Sequence, residues 1–314
     1  MAKYRSNLPQ LSDELFLTDG GLETSMIFLK GIDLPYFAAI DLLNSQEGYD
    51  ALINYYIDYI KIAKKFNTNF ILESPTWRSS PDWINKLEFS PASFEILNKK
   101  AISLMEKLRQ QFEDDKMKMI ISGCIGPRGD GYKADNKMTV AEALEYHSQQ
   151  VKLYEETEAD LVSAITMNYV EEAVGIALAC KQNNIPVTIS FTVETDGKLP
   201  DGHTLKEAIS LTEEMTDNYP AYYMINCAHT THFMEELMKY ESESWFKKIK
   251  GIRANASKKS HAELDESTEL DRGDLNELSN HYSDIKKRYP QFNIFGGCCG
   301  TDHEHIHSIA ENVI

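Results

Sequence analysis

The sequence lacks any apolar run approaching the about 20 residues that a membrane span requires. It is also short of positive charge, with 32 Lys and Arg against 49 Asp and Glu, a net charge of −17. Nucleic acids and anionic membrane surfaces demand a basic face, so neither is expected as a partner. The first ten residues are polar and lack the apolar core of a signal peptide, which makes a cytoplasmic location the expectation. Cysteine is scarce and odd in number: Cys124, Cys180, Cys227, Cys298 and Cys299. Five thiols cannot all pair within the chain, and disulfides are uncommon in the cytoplasm, so a disulfide framework is not expected. No Cys-x-x-Cys spacing advertises a closed structural zinc site. A Gly-rich phosphate turn near the start is missing too, since Asp19-Gly20-Gly21 is not the dinucleotide fingerprint.

What the chain does contain is an alternation. Short apolar or β-branched runs occur at Leu15–Thr18, Asn69–Leu72, Met119–Ser122, Leu161–Ile165, Val187–Phe191, Tyr222–Ile225, Ile249–Arg253 and Phe292–Phe295. Each is followed by a longer stretch with helical spacing or cap signals. Ser90-Pro91 opens one such stretch, and Thr139 with Glu142 reads as a capping box for another. About eight strand–helix units in 314 residues predict an α/β fold, a single (β/α)8 TIM barrel domain over residues 1–314. A doubly wound sheet with a small second domain is the runner-up. Barrel sites lie at the C-terminal ends of the strands. Asp19, Glu73, Cys124, Glu194, Cys227, Asn255, Cys298 and Cys299 all fall at such ends.

Among these the Gly296-Gly297-Cys298-Cys299-Gly300-Thr301 stretch is the most unusual. A glycine-flanked turn can aim both sulfurs at one point, which a regular strand cannot. Cys227, in Asn226-Cys227-Ala228-His229, also follows directly on a strand and is the best third ligand. Three thiolates with one open position fit a catalytic zinc ion, Zn2+. Such an ion is a poor activator of water and a good holder of a substrate thiol, because a bound thiol loses its proton. Alkyl transfer to sulfur follows from that chemistry. Metal-assisted hydrolysis would favour His and carboxylate ligands, and a non-catalytic zinc barrel is a further alternative. Cys180 and Cys124 read as buried core.

At these residues the chain resembles the homocysteine S-methyltransferase family. The carriers are Thr18-Asp19-Gly20-Gly21-Leu22-Glu23-Thr24, Gly123-Cys124-Ile125-Gly126-Pro127-Arg128-Gly129, Asn226-Cys227 and Gly296-Gly297-Cys298-Cys299-Gly300-Thr301, within Leu15 to Ile314. The resemblance implies a barrel that moves a methyl group from a sulfonium or quaternary ammonium donor to a thiol acceptor, homocysteine first. It implies zinc on Cys227, Cys298 and Cys299, with Asp19 beside Gly20 and Gly21 at the acceptor. Asn255 matches the family's strand-seven asparagine, although Ala254 replaces the preceding proline. One departure concerns the glutamate that usually ends strand four and contacts the acceptor's amino group. Ile165 stands there, and an isoleucine cannot pair with an ammonium. Either Glu194 or Glu73 substitutes, or the acceptor differs.

Other residues carry suggestive chemistry. Glu194 is a candidate catalytic carboxylate, and Trp77 offers a cation–π wall for a cationic donor. His261 lies in a polar insertion and is a candidate lid residue. His303 and His307 are four apart, which suggests a second metal site, but an exposed helix start is the expectation. A homo-oligomer is left open.

Overall fold

The computed structural model describes residues 2–265 and 267–314. Among them eight parallel strands close into a barrel in chain order, with the first strand pairing the last. The strands are β1 (Phe16–Leu17), β2 (Asn69–Glu73), β3 (Met119–Ile125), β4 (Leu161–Met167), β5 (Val187–Phe191), β6 (Tyr222–Asn226), β7 (Ile249–Ala254) and β8 (Ile294–Gly297). The main helices are α1 (Gln46–Lys65), α2 (Pro91–Phe112), α3 (Val140–Glu155), α4 (Val170–Gln182), α5 (Leu205–Thr216), α6 (Thr230–Lys239), α7 (Leu275–Arg288) and α8 (His303–Val313). The expected TIM barrel is therefore the fold, and the doubly wound alternative is excluded.

The strands read as continuous apolar runs because both of their faces are covered. All seven residues of β3 and all seven of β4 are buried. One apolar layer lies between sheet and helices, and α1 contributes Leu52, Tyr55, Tyr56, Tyr59 and Ile60 to it at helical spacing. A second, smaller layer fills the barrel interior with Phe16, Ile71, Ile120, Leu161, Met224 and Ile294. The N-terminal segment seals the lower end. There Asn293 Nδ2 donates to the carbonyls of Gln10, Ser12 and Glu14 at 2.8–3.0 Å.

Local chemistry sets the helix ends. Thr139–Glu142 and Thr204–Glu207 form complete capping boxes at α3 and α5. Pro91 opens α2 as expected, but the Ser90 hydroxyl meets Ser93 instead of capping a backbone N–H. An additional short helix, Pro81–Lys86, precedes α2. α6 stops at Lys239, well before Lys247, because a polar turn at Glu241–Ser244 leads into a separate short turn at Trp245–Lys248. Strand β4 runs two residues beyond its expected end at Ile165, and its register with β5 shifts between Ala164 and Met167.

Candidate metal centre and substrate cavity

That irregularity in β4 shapes the site. Thr166 has φ +66°, an uncommon conformation for a β-branched residue. Asn226, the last residue of β6, holds it there. Its Oδ1 accepts from Thr166 N at 2.9 Å and from Ser190 Oγ at 2.6 Å, and its Nδ2 donates to Thr166 Oγ1 at 2.8 Å. One side chain thus ties together the C-terminal ends of β4, β5 and β6. Trp77 Nε1 donates to the Ile165 carbonyl at 3.1 Å and holds the same bulge from the other side.

The next residue, Cys227, also has positive φ, at +56°. The chain leaves the strand direction there, and the sulfur turns inward. Cys298 and Cys299 sit in the turn after β8. Thr301 N and Thr301 Oγ1 both donate to the Cys298 carbonyl, at 3.1 and 2.7 Å, and Gly300 supplies the positive φ that closes the turn. The glycines before it are required by packing: a Cβ on Gly297 would lie 2.0 Å from Thr301 Oγ1. Across the turn, a Cβ on Gly21 would lie 2.6 Å from the Cys298 carbonyl oxygen.

The three sulfurs converge within 4.8 Å of one another. Cys227 Sγ is 2.7 Å from Cys298 Sγ and 3.6 Å from Cys299 Sγ. The Tyr132 hydroxyl stands over them, 2.9 Å from Cys227 Sγ and 3.5 Å from Cys299 Sγ. Burial, and then the neighbouring sulfurs, push the Tyr132 phenol well up, so it stays protonated and donates. Donation from the Cys227 thiol, and next from Cys298, holds Cys299 well below the usual thiol range.

Behind the cluster stands a second layer. His261 is buried, opens a short helix (His261–Asp265), and stacks on Tyr132 with ring centroids 4.1 Å apart. Its Nε2 lies 2.8 Å from the Cys227 carbonyl oxygen and its Nδ1 lies 3.0 Å from Glu194 Oε1. Burial works against a charged imidazole, but the Glu194 and Cys227 contacts outweigh it and raise the His261 pKa.

A cavity of about 80 Å³ lies in front of the sulfurs. Asp19, Gly20, Gly21, Glu73, Trp77, Cys227, Cys298 and Cys299 all border it, as do Tyr132, Arg253, Glu23 and Cys124. Arg253 crosses its floor, donating from Nη2 to Asp19 Oδ1 at 2.7 Å and from Nε to the Gly297 carbonyl at 3.1 Å. Its Nη1 lies 3.8 Å from Glu73 Oε1. Tyr55 donates to Asp19 Oδ2 at 3.0 Å. Burial pushes both carboxyls above their ordinary range, and Arg253 opposes it. Nearer the rim, burial pushes the Glu23 carboxyl up to about 7.

Two of the residues singled out from sequence stand outside this lining. Glu194 reaches the centre through His261. Asn255 sits behind the cysteines, where its N donates to Ala228 O and its Oδ1 accepts from Ser257 N. Cys180 is core on α4, whereas Cys124 borders the cavity. His303 is exposed and His307 meets Lys65, so they form no pair; the buried member of that run is His305, paired with Asp302. Tyr132, Arg253 and Glu23 were not singled out from sequence. A charged residue ending the apolar run Ile249–Arg253 was the available signal for Arg253; Tyr132 lies in a loop and gave none.

A sequence model of the homocysteine S-methyltransferase family matches residues 16–313. The chain belongs to that family. It is therefore a methyltransferase, and the expected family resemblance holds over nearly the whole chain. No curated protein matches the sequence itself. Its fold is similar to that of the homocysteine methyltransferase MmuM from Escherichia coli. The oxidised form of MmuM superposes with a TM-score of 0.78 at 17% identity, covering 98% of this chain and 99% of that one. The metallated form gives 0.74 at 17% identity, covering 96% of each chain.

Zinc is the family's metal, and the donors of this methyltransferase suit it. Zn–S bonds of about 2.3 Å in a tetrahedron set sulfurs roughly 3.8 Å apart. The Cys227–Cys299 pair, at 3.6 Å, already fits, and the Cys227–Cys298 pair must open from 2.7 Å by side-chain rotation. Among the described residues, three thiols and no fourth acidic or imidazole ligand make the donor set of an open site. Among the described residues no helix is long and apolar enough to cross a membrane.

Proposed function

We propose that this methyltransferase moves a methyl group from a sulfonium or quaternary ammonium donor to the sulfur of homocysteine, giving methionine. The observation that carries the proposal is the convergence of Cys227, Cys298 and Cys299 on the wall of a carboxylate-lined cavity. When bound there, zinc supplies the charge that keeps an acceptor sulfur as thiolate at neutral pH.

The chain's own residues do the remaining work. Cys227, Cys298 and Cys299 would hold the ion. Glu194 acts as a positioning residue: it orients His261, which holds the Cys227 carbonyl and supports the Tyr132 ring. Asn255 braces the cysteine turn from behind. Asp19, Gly20, Gly21 and Glu73 bind the amino-acid end of the acceptor. Trp77 and Glu23 form the donor's side of the cavity, an aromatic face and a carboxylate that both favour a cation. Tyr132 covers the sulfurs, excludes water from them, and yields its place to the acceptor thiol. The cavity is far smaller than the 300–1,000 Å³ that usually encloses a ligand, so substrates enter as Tyr132 withdraws. Holding the two substrates in line provides much of the acceleration. No general base is needed once the acceptor is a thiolate.

We further take residues 1–314 as one catalytic domain working in the cytoplasm, where free thiols persist, with no nucleic-acid partner given the charge of −17. Purified protein should form methionine from homocysteine with S-methylmethionine, betaine or S-adenosylmethionine. No methionine with any of the three would contradict the proposal. Ile165 favours one second reading, a thiol acceptor without an ammonium group, and the same assay with other thiols separates the two.

A further inference from the structure

We propose that Glu73 binds the acceptor's ammonium in this chain, replacing the strand-four glutamate of its family, with Arg253 as its positioning residue. The inference rests on the amino-acid acceptor proposed above.

The floor of the cavity sets two buried carboxyls against one guanidinium, which makes its close contact with Asp19 and stays 3.8 Å from Glu73. Asp19 is not the free one. Both of its oxygens are engaged, Oδ1 by Arg253 and Oδ2 by Tyr55. Glu73 is only 5% exposed, and its Oε1 accepts from Ser163 Oγ at 3.0 Å. Its Oε2 is buried and has no hydrogen-bond partner among the described residues. A buried carboxylate oxygen without a donor is costly, and an ammonium with three N–H groups removes that cost.

The geometry explains how β2 can serve a role given elsewhere to β4. Leu161 and Ile165 both belong to the interior cluster, and Ser163 stands between them in the alternation of β4, with Ile165 just inside the register shift that runs from Ala164 to Met167. Glu73 reaches across the interior to Ser163, so its carboxylate stands one side chain below Ile165. Both residues border the cavity. Arg253 pins Asp19 and, from 3.8 Å, steadies Glu73 Oε1, which leaves Oε2 as the oxygen on offer. Glu194, the other carboxylate considered for this role, is occupied by His261 outside the cavity lining.

The test compares homocysteine with 4-sulfanylbutanoate, the same thiol acid without its amino group, at a fixed methyl donor. Wild type should prefer homocysteine by at least about 10- to 100-fold in kcat/KM, the range of one lost charged hydrogen bond. Glu73→Gln should raise the homocysteine KM far more than the 4-sulfanylbutanoate KM, erasing most of that preference. Arg253→Lys should retain part of it. If Glu73→Gln keeps the full preference, the ammonium is held elsewhere and the inference fails. If both acceptors lose rate in parallel, Glu73 is structural and the inference also fails. A wild type that uses 4-sulfanylbutanoate but not homocysteine, or neither thiol, overturns the acceptor proposal itself and the ammonium site with it.

Discussion

Arg253 Nη2 donates to Asp19 Oδ1 at 2.7 Å, joining the C-terminal ends of β7 and β1 inside the barrel. Both partners are buried, and Glu73 lies beside them. Removing the cation leaves two buried carboxyls facing each other without compensation. Arg253→Met should therefore cost about 3–5 kcal/mol at pH 7. The sign of its pH dependence follows from the carboxyls. Their folded pKa values stand above the unfolded ones, so the unfolded state holds fewer protons, and stability falls as pH rises through that interval. Losing Arg253 widens the interval upward. Denaturant unfolding should then show a smaller deficit at pH 5 than at pH 7; equal deficits would refute the pairing.

Glu23 gives a second pH effect. Its carboxyl is pushed up to about 7, chiefly by burial. If it attracts the donor cation, kcat/KM for the donor should rise as pH passes upward through that value, and Glu23→Gln should flatten the rise. The same group lowers stability between its unfolded pKa and about 7 as pH increases, so Glu23→Gln should raise Tm at pH 8 more than at pH 4.5. A donor profile unchanged by the substitution would remove Glu23 from the donor side.

Tyr132 makes a prediction of the opposite kind, a gain. Its hydroxyl donates to a sulfur that the acceptor must approach, and that hydrogen bond is surrendered on binding. Tyr132→Phe should keep its zinc and lower the acceptor KM by about 5- to 10-fold, the worth of one such hydrogen bond. An unchanged or higher KM would show that the hydroxyl does not compete with the acceptor.

Much of this was legible in the sequence, for physical reasons that also mark where legibility ends. The eight strands announce themselves because burial on both faces forces continuous apolar runs, and β3 and β5 were bounded to within a few residues. Cys298 and Cys299 stand out because only a glycine turn allows two adjacent sulfurs to face one point. Arg253 and Asp19, by contrast, are 234 residues apart, and no local pattern predicts that barrel closure brings them into contact. Tyr132 and Cys227 are 95 apart, and Tyr132 comes from an irregular loop with no periodicity to read. Glu194 was visible as a carboxylate after a strand. Its direction was not, because the loop after Phe191 has no alternation to fix which way it points.

The most direct measurement of the central claim is the zinc content of purified wild type beside Cys298→Ala, made under reducing conditions. Three sulfurs from two strand ends form one open site, so wild type should carry close to one zinc per chain, and the variant should lose most of it while retaining the barrel's circular dichroism. Equal, stoichiometric zinc in both proteins would contradict the three-cysteine centre.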